Sequence, residues 1–328
     1  MEIYYKERKE GLEVFRVHAA GGVLKLPGKL PAGPVYAVAP YGFSDRGDED
    51  ETRLSCCRTE DREGEENLPC RGRALREIHL PAGVERIGNY AFYGCRNLSL
   101  FHGTDSIVHM GSGVFTGCRL SRVQMDFYQG EKSCLKEILT EIRYQVTAEL
   151  YCRAGEKRGM AKVVFPEYYA DAVENTPARI VETHYYGSGG DYRECFYRRE
   201  LDFGKYDRMF PLSEARDEEE VTLNLALARL LWPWKLQEKA RSQYRDYLRE
   251  HTDAVTGLAL RQMKSREEPV VAESREILGL MCREGLLEGP ALEEALMQVA
   301  EAEEPELLGI LMEYRQKQTG WKKKTFEL

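Results

Sequence analysis

The amino-acid sequence predicts an α+β multidomain chain: a short β-solenoid, a small α+β middle segment and a C-terminal α-helical repeat array. Three observations predict it. A 23-residue self-similarity runs from Leu75 to Cys118. Strand-like alternation follows at Arg143 to Tyr151 and Ala161 to Phe165, and leucine stripes at helical spacing take over in the last third. The expected domains are 1–125, with an acidic insertion at 45–73, then 126–212 and 213–328. At 328 residues the chain can bury a sizeable core without staples. Its 47 Lys plus Arg against 55 Asp plus Glu give a net charge of −8, which argues against a nucleic-acid partner.

The solenoid rests on paired positions. Leu75 falls on Leu98, Ile78 on Phe101, Val84 on Ile107 and Ile87 on Met110. Gly88 falls on Gly111, Phe92 on Phe115, Gly94 on Gly117 and Cys95 on Cys118. A further turn begins at Leu120, one residue short of strict register. An earlier copy places Val35, Val38, Tyr41 and Phe43 against Val84, Ile87, Tyr90 and Phe92, while Leu26-Pro27 mirrors Leu80-Pro81. In L-x-x-I-x-L the apolar positions point one way from a short strand, glycine permits the tight turns, and the phenylalanine plugs the core from the opposite wall. One coil cannot cover its own apolar side, so copies stack.

These residues resemble the BspA-type leucine-rich repeats of bacteria, with the hallmark I-x-L-P…I-G-x-x-A-F-x-G-C-x-x-L. The likeness is close over 75–98, weaker over 98–125 and partial over 23–44; Gly103-Thr104 replaces the Leu-Pro pair and Val114 the alanine. The resemblance implies a leucine-rich-repeat solenoid and a role in recognising other macromolecules. Many members are surface proteins, which does not carry over here, because no unbroken apolar signal segment follows Met1. No stretch has the length and apolarity of a membrane span, so no membrane partner is expected. Nine cysteines, odd in number and scattered, read as reduced thiols in the cytoplasm.

Stacked strands bring equivalent positions into ladders. The outward positions form one ladder of Lys25, His79, His102 and Gln124 and another of Glu77, Leu100 and Arg122. These seven residues are the expected contact points for an unidentified protein partner. His79 and His102 lack a third ligand in the pattern, so a solvated pair is expected rather than a metal site. Cys95 and Cys118 are expected to be packed neighbours. The insertion 45–73 carries ten acidic residues and six arginines and reads as a solvated, mobile loop. Cys56, Cys57 and Cys70 within it match no zinc spacing. No cofactor is expected.

In the middle segment Leu135 to Ile142 reads as a short helix, Arg143 to Tyr151 and Ala161 to Phe165 as paired strands, and Pro166 as a stop. Arg179 to Tyr186 and Tyr192 to Tyr197 read as two extended segments joined by the turn Gly187-Ser188-Gly189-Gly190, which lacks the Lys-Ser/Thr of a phosphate loop. From Ser213 onward, acidic residues suit a helix start, with Leu223, Leu227, Leu230 and Leu231 on one face and Leu236, Ala240, Tyr244 and Leu248 on the next. Glu267-Glu268-Pro269 recurs as Glu303-Glu304-Pro305, suggesting helix, acidic proline turn, helix. That pattern resembles ankyrin-like or HEAT-like helix pairs over 252–318, without the T-P-L-H signature. No catalytic motif stands out. The reading is a non-catalytic interaction scaffold; the alternative is an enzyme with an unrecognised site at 179–200, although the sequence gives no warrant for pairing Cys195 with His184 there.

Overall fold

The computed structural model describes residues 1–47, 49–59, 67–154, 158–175, 180–265, 268–301 and 304–319. They form two compact units, Met1–Asp217 and Glu218–Leu328. The first unit opens with a hairpin of β1 (Glu2–Glu7) and β2 (Leu12–Ala19), then β3 (Val23–Lys25) and the short pair β4 (Lys29–Leu30) and β5 (Gly33–Val38). After β6 (Ser55–Arg58) and β7 (Leu68–Pro69) the coils become regular: β8 (Glu77–His79) with β9 (Arg86–Ile87), β10 (Leu100–Thr104) with β11 (His109–Met110), then β12 (Arg122–Phe127). Helix α1 (Leu135–Glu141) leads into β13 (Val146–Cys152) and β14 (Gly159–Phe165).

Two walls result. One has the order β14-β13-β12-β10-β8-β3, with β3, β8, β10, β12 and β13 in parallel. The other has the order β11-β9-β5-β2-β1-β6. Val38 pairs with Ile87 and Lys25 with His79, the alignment drawn for the earliest copy. Proline limits β8, because Pro81 has no N–H for the ladder. Thr104 stands where that proline would be, and β10 runs on to pair Thr104 with Asp126.

The core is a set of ladders. Phe43, Phe92 and Phe115 stack with ring centroids 5.3 and 5.4 Å apart, and Phe101 meets Phe115 edge-on at 5.2 Å. All four are buried. Amides of this turn bond from coil to coil: Phe43 to Ala91, Tyr90 to Ser112, Phe92 to Val114 and Gly94 to Thr116, each N–H donating to a carbonyl at 2.8 to 3.1 Å. Tyr41 and Tyr90 take left-handed backbone, φ 54° and 57°, and their rings stack at 5.2 Å. The equivalent in the next coil is Gly113, φ 65°, where a Cβ would lie 2.3 Å from the Tyr90 ring. Glycine there makes room for the tyrosine above it. Cys95 and Cys118 are buried, and each thiol donates to the phenylalanine carbonyl one coil earlier, Phe43 at 3.2 Å and Phe92 at 3.1 Å. Burial pushes the Cys118 thiol up to about 12 and Cys95 higher still.

Several expectations need correction. The insertion is not a loop throughout: β6 pairs with β1 and β7 with β2, so its described parts extend a wall. Ser55–Arg58 has no apolar alternation to announce a strand, and its burial does not alternate. Residue 48 and residues 60–66 of the insertion lie outside the described residues. The parallel wall also continues past 125, because β13 stacks in register on β12. Beyond the last regular turn, Glu141 accepts from the Val114 and Phe115 amides at 3.1 and 2.7 Å, standing in for the carbonyls of a further coil. Arg199 ties the second wall down by donating to Ile107 and Val108 carbonyls at 2.9 and 3.2 Å, with Glu137 at 2.7 Å.

The rest of the first unit departs further from expectation. β16 (Ile180–Tyr186) pairs with β15 (Tyr169–Asn175) and not with Tyr192 to Tyr197. Gly189 begins a short helix, α2 (Gly189–Arg193), and a Cβ on Gly189 would lie 2.1 Å from the Pro166 carbonyl. This close approach, fixed by Asp217 accepting from the Ser188 amide at 2.8 Å and from its hydroxyl, bends the chain inward. Arg193 thereby enters the core and donates to the carbonyls of Leu139, Ile142, Tyr144, Pro166 and Gly189. β17 (Phe196–Tyr197) and β18 (Glu200–Leu201) pair with each other, followed by α3 (Phe203–Arg208) and α4 (Phe210–Arg216).

The second unit contains α5 (Glu219–Leu231), α6 (Glu238–Glu250), α7 (Thr252–Met263), α8 (Glu268–Arg283), α9 (Gly289–Glu301) and α10 (Pro305–Thr319). The expected start near Ser213 is corrected: α4 ends at Arg216, and Asp217 is drawn to Ser188. Leu223, Leu227 and Leu230 are buried as expected and Leu231 only half-buried; Leu225 and Ala226 join them because α8 covers a second side of α5. Tyr244, Tyr247 and Leu248 bury α6. Pro269 and Pro305 sit in the first turns of α8 and α10, where a missing N–H costs nothing.

Candidate interaction surface

The outward side of the parallel wall carries the expected ladders, in the expected register. Lys25, His79, His102 and Gln124 are aligned on β3, β8, β10 and β12, and the row continues to Glu149 on β13. Glu77, Leu100 and Arg122 form the neighbouring row. Leu100 is not available to a partner, however. It is 3% exposed, beneath Glu77 and Arg122, whose charged ends meet across it at 3.5 Å. An ion pair bridging alternate strands therefore roofs the leucine between them. Lys25 and Arg122 are exposed, and Glu77, His79, His102 and Gln124 half-buried.

The two imidazoles are joined to more groups than the sequence suggested. His79 Nδ1 lies 3.2 Å from His102 Nδ1, His102 Nε2 lies 2.9 Å from Asp126 Oδ2, and His79 Nε2 lies 3.7 Å from Glu77 Oε2. Arg153 Nε holds the other Asp126 oxygen at 2.8 Å. Two facing Nδ1 atoms make a hydrogen bond only when one carries a proton and the other a lone pair. One proton between the two Nδ1 atoms satisfies that contact, while Nε2 of His102 meets Asp126. A second proton would set two N–H groups against each other. Burial, then His102, then Lys25 hold the His79 imidazole below its ordinary value.

Beside this row Glu149 accepts from Gln124 at 2.8 Å and from the Tyr151 hydroxyl at 2.9 Å, and Arg153 covers the Tyr151 ring. Asp126, Glu149, Tyr151 and Arg153 were missed by sequence reasoning. Their signal was present: Glu149 follows Gln124 at nearly the coil length, within a strand already recognised but assigned to the next domain. Among the described residues no group of three metal-ligating side chains comes together. Cys70 is buried and donates to the Gly21 carbonyl, away from the exposed Cys56 on β6.

Among the described residues of the segment 179–200 the one cysteine is not activated. Cys195 is buried, its thiol donates to the Asp191 carbonyl, and burial pushes it up to about 12, far from a thiolate at neutral pH. Residue 179 and the His184 side chain lie outside the described residues. Arg193, 6% exposed and bound to five carbonyls, acts as a clamp on the chain.

Comparison with known families singles out the same wall. Residues 70–145 match the family model described as BspA type Leucine rich repeat region, six copies. That segment is leucine-rich-repeat in kind. It spans β8 to β12 and α1, and the parallel wall itself extends beyond it through β3 on one side and β13 on the other. No curated protein and no solved structure matches the chain. Among the described residues no helix is long and apolar enough to cross a membrane.

Proposed function

We propose that this chain is a non-catalytic interaction scaffold that captures a protein partner on the outward face of its leucine-rich-repeat wall. Such repeats are generally protein-interaction modules, and the observation that carries the reading is the polar network itself. Side chains from four adjacent strands are fixed by one another, with His102 on Asp126, Gln124 on Glu149 and Arg122 on Glu77. A surface already ordered loses little entropy on binding, which favours recognition. Lys25, Glu77, His79, His102, Arg122 and Gln124 are the proposed contacts. Leu100 supports them from below.

The α7–α10 region supplies a second stacked surface in this reading. Helices two apart in the chain touch, α7 with α9 and α8 with α10, as stacked helix pairs do. The cysteines stand as free thiols, which supports a reducing, cytoplasmic setting. The family resemblance supports a bacterial source. The test is capture from host lysate by the wild type, by Glu77→Arg, and by the swapped pair Glu77→Arg with Arg122→Glu. The expected result is one stoichiometric partner, lost in both variants although the swap restores the ion pair. Equal capture by all three overturns the strand-face reading. Turnover in a hydrolase and transferase screen, abolished by a change within 179–200, would favour the enzyme instead.

A further inference from the structure

The network above uses one face of the coils, and a second charged feature stands at the turn beside the phenylalanine ladder. Arg73, Arg96 and Arg119 recur at the coil length of 23 residues, the last two as Gly-Cys-Arg. The structure stacks them: the Asn97 side chain donates to the Arg73 carbonyl at 2.7 Å, and the Gly94 amide donates to Thr116 one coil on. All three are exposed. Among the described residues none of the three is held in an ion pair with a carboxylate. Arg46 joins them, its guanidinium 4.6 Å from the centre of the Tyr93 ring. The carboxylate nearby, Asp45, is engaged by Arg71 at 3.9 Å. Arg46, Arg73 and Arg96, together with Asp45, line a groove of about 300 Å³ floored by Gly94 and Gly117. Both glycines have positive φ, and a Cβ on Gly94 would meet nothing within 4 Å, so the floor is open to an incoming backbone.

In a chain of net charge −8, four neighbouring arginines, none ion-paired among the described residues, outnumber the one carboxylate of the groove and form a local field of the opposite sign. Screening confines each field to about 8 Å at physiological salt, so the patch acts on its own surroundings. We infer that this arginine ladder is a docking site for a short acidic peptide segment, three or four consecutive Asp or Glu residues in extended conformation. Stacked coils place the arginines ~4.8 Å apart, roughly 10 Å from first to third, which is the reach of about three extended residues. Guanidinium forks match carboxylates two N–H groups at a time. A nucleic acid would overrun so short a patch onto the acidic remainder of the surface. The site is independent of the strand face and survives or fails separately from it.

The test uses the full chain and a fluorescent decapeptide with four central glutamates, read by anisotropy, against the same peptide with glutamines and against a ten-nucleotide oligothymidine. The glutamate peptide is expected to bind, the glutamine peptide not to, and added salt to weaken binding. Arg96→Gln with Arg119→Gln should weaken it by about ten-fold, and the matching lysine pair by less. These side chains are exposed, so the melting temperature should stay at the wild-type value and separates lost binding from lost fold. Unchanged affinity in the glutamine pair, equal binding of the two peptides, or tighter binding of the oligothymidine would overturn the assignment.

Discussion

The coils of residues 23–127 and the segment of residues 166–217 belong to one unit and are held together by opposite means. In the coils each residue meets its counterpart one repeat away, so Phe92 stacks between Phe43 and Phe115 and Cys118 reaches Phe92. In the later segment order comes from single distant anchors: Arg193 binds carbonyls of Leu139 and Ile142, and Tyr206 donates to the Val164 carbonyl at 2.6 Å. A repeated small interaction tolerates loss at one site better than a unique one does. That difference sets the order of expected effects.

Arg193→Ala should be the most damaging change, because it leaves five carbonyls to find new partners inside the core. The expected loss is about 5 kcal/mol or more, seen as failure to fold or a greatly lowered denaturation midpoint. A loss under about 1 kcal/mol would erase the contrast. Phe92→Ala should cost ~3–5 kcal/mol, and combining it with Phe115→Ala should be non-additive, since the rings touch. Glu141→Ala should cost about 2 kcal/mol by freeing two amides at the end of the turn stack, with faster exchange confined to Val114 and Phe115.

A smaller effect concerns pH. The His79 imidazole sits below its ordinary value in the folded chain, so the unfolded chain takes up that proton more readily. Stability should therefore fall as pH drops through the ordinary histidine range near about 6.5. His79→Gln should flatten that part of the profile, measured by denaturant titration across the range. The smallest change in stability is expected for Glu77→Arg with Arg122→Glu, well under about 1 kcal/mol, because the ion pair is partly exposed. Its effect belongs to partner capture.

Legibility followed the same division. The ladders, their register and six of the seven outward residues could be read because a period of 23 residues repeats the same local problem, and each copy checks the others. Leu100 misled because alternation tells which side a residue faces, not whether its charged neighbours close over it. Tyr192 and Arg193 were read as a strand because their side chains suit one. The fold was decided by Gly189 lying against the Pro166 carbonyl and by Asp217 on Ser188, contacts that no local pattern announces. The acidic run at Asp217–Glu220 looked like one helix start, yet its first member serves the neighbouring segment.

Amide hydrogen exchange at Tyr90, Phe92 and Gly94 tests most directly whether the coils depend on each other. If each turn is closed by the one beside it, these three amides exchange only when the whole unit unfolds, together with those of Leu100 to Thr104. Exchange at the rate of an open surface turn, while the strands stay protected, would contradict a stacked solenoid.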